Sequence, residues 1–551
     1  MGERTRGRPT FLSGVFLLSL SAMLVKVTGL LTKIPMMRLL GAAGMGYYNT
    51  AYEVYVFLFV LSTAGLPVAL SILISERREE RLRILRAAAG LFAALGVLGG
   101  GLTWLFADVL AARMGNPPAA ACMRAVAPAV LFVCLAAALR GYYQGLGDMR
   151  PTAVSQILEA LGKLTLGLLL AAAARRRGLP LPAVAAAGAM GLSGGTALSF
   201  LYLASRFAAD RMRECRGVEA SAEDRRPARR VLRRLITLAV PITLSTGVVT
   251  LTRLLDTVLI LRRLQACGYT EAAVNRLYGA YSTMAVPIYS LLPALIGAVA
   301  LPLVPGITHA REVGDGAGER EIVGTAFRLT LLLALPAAPA LSAFSTPILR
   351  LLFGGEETVA AVAPLLSLLG TSVLPACLVT VTGAMLQAYR RPHVPLISAL
   401  VGSALKLISA WILLALPRVG MAGVPISSLI CHGTVLLIDL AVLRHYLPAE
   451  RQRGRDAWRI LAAALLSVGA TLALWRALAS RLALPPAAFL PAVLLCVLLY
   501  GALILRLGVL READVARFSH GKSAFRRLLR PHTPASGADL PKKAKKFLKT
   551  P

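Results

Sequence analysis

The sequence predicts an all-α integral membrane protein with about 14 transmembrane helices. Three observations support this prediction: the composition, the length of the apolar blocks, and an internal repeat of those blocks. Of the 551 residues, 57% are hydrophobic and 16% are charged, and the mean hydropathy is +0.69. Soluble proteins carry about a quarter charged residues, so this chain is too apolar to be a string of soluble domains.

The apolar blocks recur from Phe11 to Leu507, and each has about the length of a helix that crosses a bilayer. Backbone polar groups in lipid must be hydrogen-bonded within their own segment, so the blocks are predicted to be helices. The first block is too long for a cleaved signal peptide and leads into no soluble domain. The predicted spans are residues 11–33, 49–74, 84–109, 122–145, 153–174, 181–205, 235–262, 277–306, 322–346, 358–387, 395–416, 422–445, 457–478 and 487–508.

Two halves of the chain match in three blocks that keep the same order. Gln144, Ser155 and Lys163 recur 243 positions later (387 − 144) as Gln387, Ser398 and Lys406. A second block recurs 238 positions later: Gly195, Thr196, Leu198 and Arg206 match Gly433, Thr434, Leu436 and Arg444. A third block recurs 231 positions later: Tyr47, Val68, Ala69 and Leu70 match Tyr278, Val299, Ala300 and Leu301. Spans 1–6 therefore match spans 7–12. Six crossings return the chain to its starting side, so the two halves are parallel repeats of the kind found in transporters.

The repeat and the charged segments divide the chain into five parts. These are an N-terminal six-helix lobe (1–205), a basic linker (206–234), a C-terminal six-helix lobe (235–445), two additional helices (446–508) and a basic tail (509–551). The net charge of +33 is concentrated in segments that share one side if the N-terminus is cytoplasmic. This bias predicts a multi-pass protein of the cell membrane with both termini cytoplasmic. The basic segments are expected to contact anionic lipid and not nucleic acid.

Cysteines and loops give no sign of an enzyme. The seven cysteines form no CxxC motif and no His/Cys cluster, which argues against a disulfide framework or a metal site. No cofactor is expected. A membrane-bound glycosyltransferase or polymerase would need acidic or histidine residues at loop–membrane junctions, and the acidic pair Glu356–Glu357 fits a solvated loop better. A scaffold that recruits cell-wall enzymes through the basic tail would leave the charges inside the spans unexplained.

Charged side chains inside spans are the candidate functional residues, because a charge near the bilayer centre costs about 2.5–3.5 kcal/mol or more. They are Lys26 and Lys33 in span 1, Glu159 and Lys163 in span 5, Arg253 and Asp256 in span 7, and Lys406 in span 11. The excess of cations favours a phosphate or diphosphate ligand, whereas an exporter of cationic drugs would need the reverse.

The spacing of these residues suggests two internal ion pairs. Glu159 and Lys163 are one helical turn apart, and Arg253 and Asp256 are three residues apart, so each pair could be structural instead of functional. Gly402 occupies the position that matches Glu159 in the repeat. Lys406 is therefore expected to lack a partner and to face a cavity.

A group of tyrosines near the start of span 2 allows two interpretations. Tyr47, Tyr48, Tyr52 and Tyr55 fit an aromatic belt at the membrane interface. The alternative is a site on which sugars stack.

Several segments resemble the SpoVB-type polysaccharide biosynthesis proteins. They are FLSGVFLLSLSAMLVKVTGLLTKIPMMRLLGAAGMGYYNTAYEVY followed by STAGLPVALSILISE, RGYYQGLGDMRPTAVSQILE at 140–159, LLDTVLILRRLQACGYTEAAVNRLYGAY at 254–281, and MLQAYRRPHVPLISALVGSALKLI at 385–408. The similarity covers about residues 10–510. These proteins belong to the multidrug/oligosaccharidyl-lipid/polysaccharide exporter (MOP) superfamily, together with the lipid II flippases and the MATE drug exporters.

The resemblance implies a MATE/MurJ-like V of two six-helix lobes around a central cavity, with two further helices that form a groove for a lipid tail. It also implies transfer of an undecaprenyl-diphosphate-linked saccharide between leaflets, with basic residues of span 1 and of the cavity on the diphosphate. Lys26 and Lys33 stand where these families usually carry arginine, which keeps the charge but loses the bidentate geometry.

The resulting hypothesis is a flippase for a lipid-linked oligosaccharide, such as lipid II or a spore-cortex or polysaccharide precursor, which works by alternating access. Lys26, Lys33, Arg253, Lys406 and Lys163 are expected to bind the diphosphate, and Glu159 and Asp256 to tune the cations or carry a coupling ion (Na⁺ or H⁺). The membrane potential is the other expected driving force. The alternative function is a MATE-like cation-coupled multidrug exporter, which would depend on Glu159 or Asp256.

Overall fold

The structure is a computed structural model that describes residues 11–77, 80–214, 228–300, 302–446, 452–481 and 489–508. Its regular elements within these ranges are helices, which confirms the predicted all-α fold. Most of the basic linker (215–227) and the basic tail (509–551) lie outside the described residues. The helices are α1 (Phe11–Thr63), α2 (Leu66–Glu76), α3 (Arg81–Leu105), α4 (Ala107–Arg113), α5 (Ala120–Gly145), α6 (Arg150–Arg176), α7 (Leu181–Glu214), α8 (Ala228–Ala266), α9 (Glu271–Ala280), α10 (Val286–Ala300), α11 (Leu303–Glu312), α12 (Gly316–Ala343), α13 (Ser345–Phe353), α14 (Glu356–Ala388), α15 (His393–Leu414), α16 (Gly423–Leu443), α17 (Gln452–Arg481) and α18 (Phe489–Arg506).

The number of spans agrees with the sequence prediction. Among the described residues, 12 helical stretches are long and apolar enough to cross a membrane, and α8 is a thirteenth if its halves, bent by 48°, are one span. One of the 12, Met23–Glu76, contains the second half of the first predicted span and all of the second. Gly41 separates them with a φ of 67° and a ψ of 179°, a conformation that only glycine adopts without strain. Counting both sides of Gly41 gives the predicted number.

The helices pack as two lobes. In the first lobe, α7 packs on α5 and α6, and α3 packs on α5. In the second lobe, α14 packs on α12 and α16, and α15 packs on α16 and α8. The elements α5, α6 and α7 occupy the positions in the first repeat that α14, α15 and α16 occupy in the second.

The two helices outside the repeat pack on the second lobe. α17 contacts α12 and α18, and Leu332, Leu335, Ile460, Ala463 and Ile504 form their shared apolar core. The Tyr500 hydroxyl donates a 2.8 Å hydrogen bond to the backbone carbonyl of Leu332, which anchors α18 to the same helix.

The lobes meet closely on one side of the membrane. We call the side on which α7 ends and α8 begins the linker side; after one crossing, α8 ends and α9 begins on the opposite side. There, a Cβ atom on Gly279 would lie 2.0 Å from the Ala42 carbonyl oxygen, and one on Gly46 would lie 2.4 Å from the Asn275 carbonyl oxygen. Only glycine allows this approach of the two backbones.

A π-helical turn, Tyr281–Ala285, connects α9 to α10 next to this contact. The Asn49 side-chain amide donates hydrogen bonds of 2.8 Å to the Ser282 hydroxyl and 2.7 Å to the Thr283 hydroxyl in that turn. π-Helical turns are rare and frequently mark functional sites. This one carries contacts from the second lobe to the first.

Candidate functional site

A cavity of about 580 Å³ lies between the lobes. Its walls come from α1, α5, α6 and α7 of the first lobe and from α8 and α10 of the second. The charged residues in its described lining are Lys26, Lys33, Arg140, Lys163, Arg253 and Glu159. The structure therefore brings together five of the seven candidates predicted from the sequence. Asp256 and Lys406 are not part of this lining.

A buried network of charges forms one wall of the cavity. Arg140 donates hydrogen bonds to Glu159 (2.8 Å), to the Ser155 hydroxyl (3.0 Å) and to the Ser199 hydroxyl (2.9 Å). Glu159 also accepts a 2.5 Å hydrogen bond from Lys163, so the structural pairing suggested by the spacing is present. The side chains of Arg140 and Glu159 are only 8% and 9% exposed, and that of Lys163 is 24% exposed. One carboxylate is shared by two cations, which leaves the network with one net positive charge.

Lys26 and Lys33 extend this positive charge along α1. They are seven residues apart, which places them on the same face two turns from each other. Lys33 donates a 2.8 Å hydrogen bond to the backbone carbonyl of Ser282 in the π-helical turn. Lys26 is exposed to the cavity and has no hydrogen bond or ion pair with the described part of the chain. Its ammonium group is therefore available to an anion.

Arg253 belongs to an ion pair that crosses between the lobes. Its guanidinium lies 3.1 Å from the Glu53 carboxylate of α1, and the two side chains are 47% and 14% exposed. The suggested pairing of Arg253 with Asp256 is wrong, because Arg253 projects from α8 toward the first lobe while Asp256 projects toward α15. Spacing along one helix does not show which neighbouring helix each side chain faces.

Lys406 has a partner that the sequence did not predict. Its ammonium lies 2.7 Å from the Asp256 carboxylate, and the side chains are 15% and 12% exposed. The expectation that Lys406 lacks a partner and faces the cavity is wrong, because the carboxylate comes from another helix of the same lobe. The second oxygen of Asp256 is buried and has no hydrogen-bond partner in the described ranges.

Two of the four tyrosines line the cavity, and a third, Tyr55, contacts its charged wall. Tyr48 and Tyr52 are lining residues, and their rings stack with centroids 6.2 Å apart and planes 11° apart. The Tyr55 hydroxyl accepts a 3.4 Å hydrogen bond from Lys163. The belt interpretation is therefore wrong for these three residues, since they face polar groups inside the protein.

Arg140 and Glu53 are site residues that the sequence analysis missed. Both lie near the ends of their predicted spans, where a charge usually faces the interface. In the structure α1 continues from the first predicted span through Gly41 to Thr63, so Glu53 lies within a helix and not at its edge. For Arg140, the available signal was an arginine inside an otherwise apolar helix, next to the segment that carries Ser155 and Glu159.

The charges define what the site can bind. Among the described residues, five cations face the two carboxylates Glu53 and Glu159, which leaves three uncompensated positive charges between the lobes. Such charges are expensive inside a membrane protein, and a phosphate or carboxylate ligand would compensate them with charge-assisted hydrogen bonds. Two repeated helical lobes around a charged cavity are the architecture typical of a membrane transporter.

Comparison with known proteins identifies the family. Residues 11–308, more than half of the chain, match the family described as Polysaccharide biosynthesis protein, and residues 305–412 match MatE. The chain therefore belongs to the polysaccharide biosynthesis protein family. It is 24% identical over 448 residues to Stage V sporulation protein B of Bacillus subtilis (strain 168), covering 80% of this chain and 85% of that protein. It is also 24% identical over 419 residues to the Lipid II flippase MurJ of the same organism, covering 72% and 76%.

Solved structures share the fold. A Lipid II flippase MurJ in an inward closed conformation matches with a TM-score of 0.69 and 16% identity, covering 94% of this chain and all of that chain. An inward-facing multidrug resistance MATE family transporter of the MOP superfamily matches with a TM-score of 0.57 and 17% identity, covering 77% and 98%. The resemblance to SpoVB-type proteins and the MATE/MurJ-like fold are confirmed. The protein is a multi-pass membrane flippase or transporter and not an enzyme.

Proposed function

We propose that this protein moves an undecaprenyl-diphosphate-linked saccharide across the cytoplasmic membrane by alternating access. The observation that carries the proposal is the cavity between the lobes, in which five cations face two carboxylates. A diphosphate carries the opposite charge and accepts hydrogen bonds on every terminal oxygen. Relatives named as a sporulation protein and a Lipid II flippase support a precursor of cell wall, spore cortex or polysaccharide.

In this proposal Lys26, Lys33 and Arg253 hold the diphosphate. They lie on α1 and α8, on facing sides of the cavity, and within the described ranges Glu53 is the one buried carboxylate that they contact. Lys163 contributes more weakly because Glu159 already accepts its hydrogen bond. Tyr48 and Tyr52 offer ring faces for the first sugars. The cavity has the volume of a small-molecule site, and the polyprenyl tail stays in lipid beside α17 and α18.

Binding and conformational change would be linked through the same side chains. Arg253 contacts Glu53, and Lys33 contacts the carbonyl of Ser282, and both contacts join one lobe to the other. A bound diphosphate would compete for both cations and weaken these links. A ligand shifts a conformational equilibrium only through such differential contacts. In this proposal the linker side and both termini are cytoplasmic, as the positive-inside bias of the sequence predicts. The membrane potential or a coupling ion is the proposed driving force.

The multidrug-exporter alternative relies on carboxylates that are occupied here. Glu159 is bound by Arg140 and Lys163, and Asp256 is bound by Lys406. A cationic drug would have to displace a buried lysine or arginine from either one. The charge of the cavity therefore favours an anionic substrate.

The test is transbilayer movement of a fluorescent undecaprenyl-diphosphate sugar in proteoliposomes. The wild type is compared with a triple variant, Lys26→Gln, Lys33→Gln and Arg253→Gln. The matched control is Arg124→Gln, Arg276→Gln and Arg350→Gln, which removes the same charge from exposed ion pairs outside the described lining. We expect the cavity variant to lose at least about tenfold in rate, the loss expected for one charge-assisted contact, and the control to keep the wild-type rate.

Two outcomes would contradict the proposal. If the cavity variant flips the lipid as fast as the control, these cations do not hold the diphosphate. If the folded wild type moves no such lipid but exports an organic cation, and Glu159→Gln abolishes that export, the multidrug-exporter alternative is correct.

A further inference from the structure

A buried carboxylate in the second lobe takes no part in the cavity. Asp439 lies on α16 and is 0% exposed. Ser398 of α15 donates a 2.7 Å hydrogen bond to Asp439 Oδ1, and Thr382 of α14 donates a 3.1 Å hydrogen bond to Oδ2. Three helices therefore meet at this side chain, and no described cation lies within ion-pair distance of it.

The corresponding region of the first lobe contains an arginine that the second lobe lacks. Ser155, the repeat partner of Ser398, accepts a hydrogen bond from Arg140, and Arg140 together with Lys163 neutralises Glu159. The position that corresponds to Arg140 by the same offset of 243 is Gly383. The second lobe thus buries a carboxylate at this level without the arginine.

The other titratable groups of the three packed helices do not replace it. Lys406 is bound by Asp256, the His432 ring contacts the Ser428 carbonyl, and Arg391 donates to the Tyr446 hydroxyl. None of the remaining described groups on or next to these helices contacts Asp439: Glu356, Glu357, Cys377, Tyr389, Arg390, His393, Cys431, Arg444 and His445. A carboxylate buried without a cation is costly, and taking up a proton removes that cost.

The two hydroxyl groups can satisfy both charge states of the carboxyl group. Each hydroxyl has a single hydrogen and a second acceptor within reach: the Pro395 carbonyl at 3.2 Å for Ser398, and the Val379 carbonyl at 3.3 Å for Thr382. When Asp439 is ionised, both hydroxyls donate to it. When it is protonated, its O–H donates to one hydroxyl oxygen, and that hydroxyl donates to the carbonyl of its own helix.

We propose that Asp439 is a proton-binding site of the second lobe, with Ser398 and Thr382 as the groups that accommodate the proton. Proton uptake exchanges two charge-assisted hydrogen bonds to α14 and α15 for two neutral ones, which are weaker. The proton therefore loosens the connection of α16 to its two neighbours. This site does not depend on the identity of the transported substrate.

The test is infrared spectroscopy of the full-length protein in lipid nanodiscs, titrated over pH in H₂O and D₂O. A protonated carboxyl group gives a C=O band that shifts in D₂O and is absent from carboxylates. We expect the wild type to show such a band that disappears as the pH rises, and Asp439→Asn to lack it. The double variant Ser398→Ala with Thr382→Val removes the donors that stabilise the ionised form. Its band should persist to a pH higher by about one unit or more.

The results can overturn the proposal in three ways. A wild type without the band at any accessible pH would show that Asp439 stays ionised. A band that persists in Asp439→Asn would belong to another residue. An unchanged titration in the double variant would exclude Ser398 and Thr382 as the controlling groups, and this variant also decides the question if Asp439→Asn does not fold.

Discussion

The two lobes share a fold but distribute charge differently. Lys163 and Lys406 occupy equivalent positions in the repeat, and each is paired with a carboxylate. The partner of Lys163 is on its own helix beside the cavity, whereas the partner of Lys406 is on α8 away from it. Four of the five cavity cations come from the first lobe, and Arg253 alone comes from the second. A repeated backbone therefore does not imply a repeated site, and the first lobe carries most of the positive charge in the described lining of the cavity.

The largest expected effect comes from breaking the charged network of the first lobe. Glu159→Ala leaves Arg140 buried and Lys163 without its carboxylate. We expect the free energy of unfolding to fall by about 3–5 kcal/mol, the cost of leaving a buried charge uncompensated. Reversible unfolding in mixed micelles measures it. Asp439→Asn, at the buried carboxyl group of the second lobe, should change the free energy by less than about 1 kcal/mol, because the proposed protonated carboxyl group is replaced by a neutral amide. Equal losses in the two lobes would contradict this comparison.

The next effect separates the two repeat-related lysines. Lys406→Met leaves the Asp256 carboxylate without its cation and should lower the free energy of unfolding by about 2–3 kcal/mol, less than for a fully buried pair because both side chains keep some exposure. Lys163→Met should cost less, since Arg140 still neutralises Glu159. Adding Asp256→Asn to Lys406→Met should recover at least half of the loss. No recovery would mean that the ion pair does not explain the effect.

A smaller effect is expected where the lobes touch. Gly279→Ala places a methyl group against the backbone of Ala42 and Gly46. Closing the contact between the lobes on the opposite side should then cost about 1–3 kcal/mol of free energy. Spin labels on α4 and α9 should then move apart. Gly297→Ala is the matched control, because a Cβ there meets nothing within 4 Å. Unchanged distances in the Gly279 variant would show that this contact does not hold the lobes together.

The smallest effect on stability should accompany a gain in affinity. Glu53→Gln releases Arg253, whose side chain is 47% exposed, so stability should change by less than about 1 kcal/mol. Pyrophosphate should bind several-fold more tightly, because Arg253 no longer has a competing carboxylate. Calorimetry can measure the change, with Glu357→Gln, which faces the exposed Arg276, as the control. Weaker binding in Glu53→Gln would show that Glu53 supports the site instead of competing with the ligand.

The sequence predicted the fold well because lipid permits few alternatives. Length and hydropathy determine where a helix can cross, and the repeat gives the order of the lobes. Partners on different helices were harder to predict. Lys406 seemed unpaired because its own helix has Gly402 one turn earlier, yet Asp256 reaches it from α8. The rotation of each helix about its axis decides such contacts, and no spacing rule within one helix contains that information.

The same limit explains the errors around α1. Tyr48 and Tyr52 were placed at an interface because they lie near a predicted span end, but α1 continues through them and turns them toward the cavity. Arg140 was passed over for the same reason. The sequence does identify Lys26, Lys33 and Glu159, because a charge deep in an apolar block stands out regardless of the direction in which its side chain points.

The π-helical turn Tyr281–Ala285 has a consequence for the shape of the second lobe. It inserts one residue relative to a continuous α-helix, and one residue corresponds to a rotation of about 100°. The cavity-lining residues of α10, which are Val286, Pro287, Ser290 and Leu291, all follow the turn. Converting the turn to α-helix would rotate this entire face away from the cavity, while α9 keeps its contacts with α1. The one extra residue in this turn therefore determines which face of α10 is directed toward the cavity.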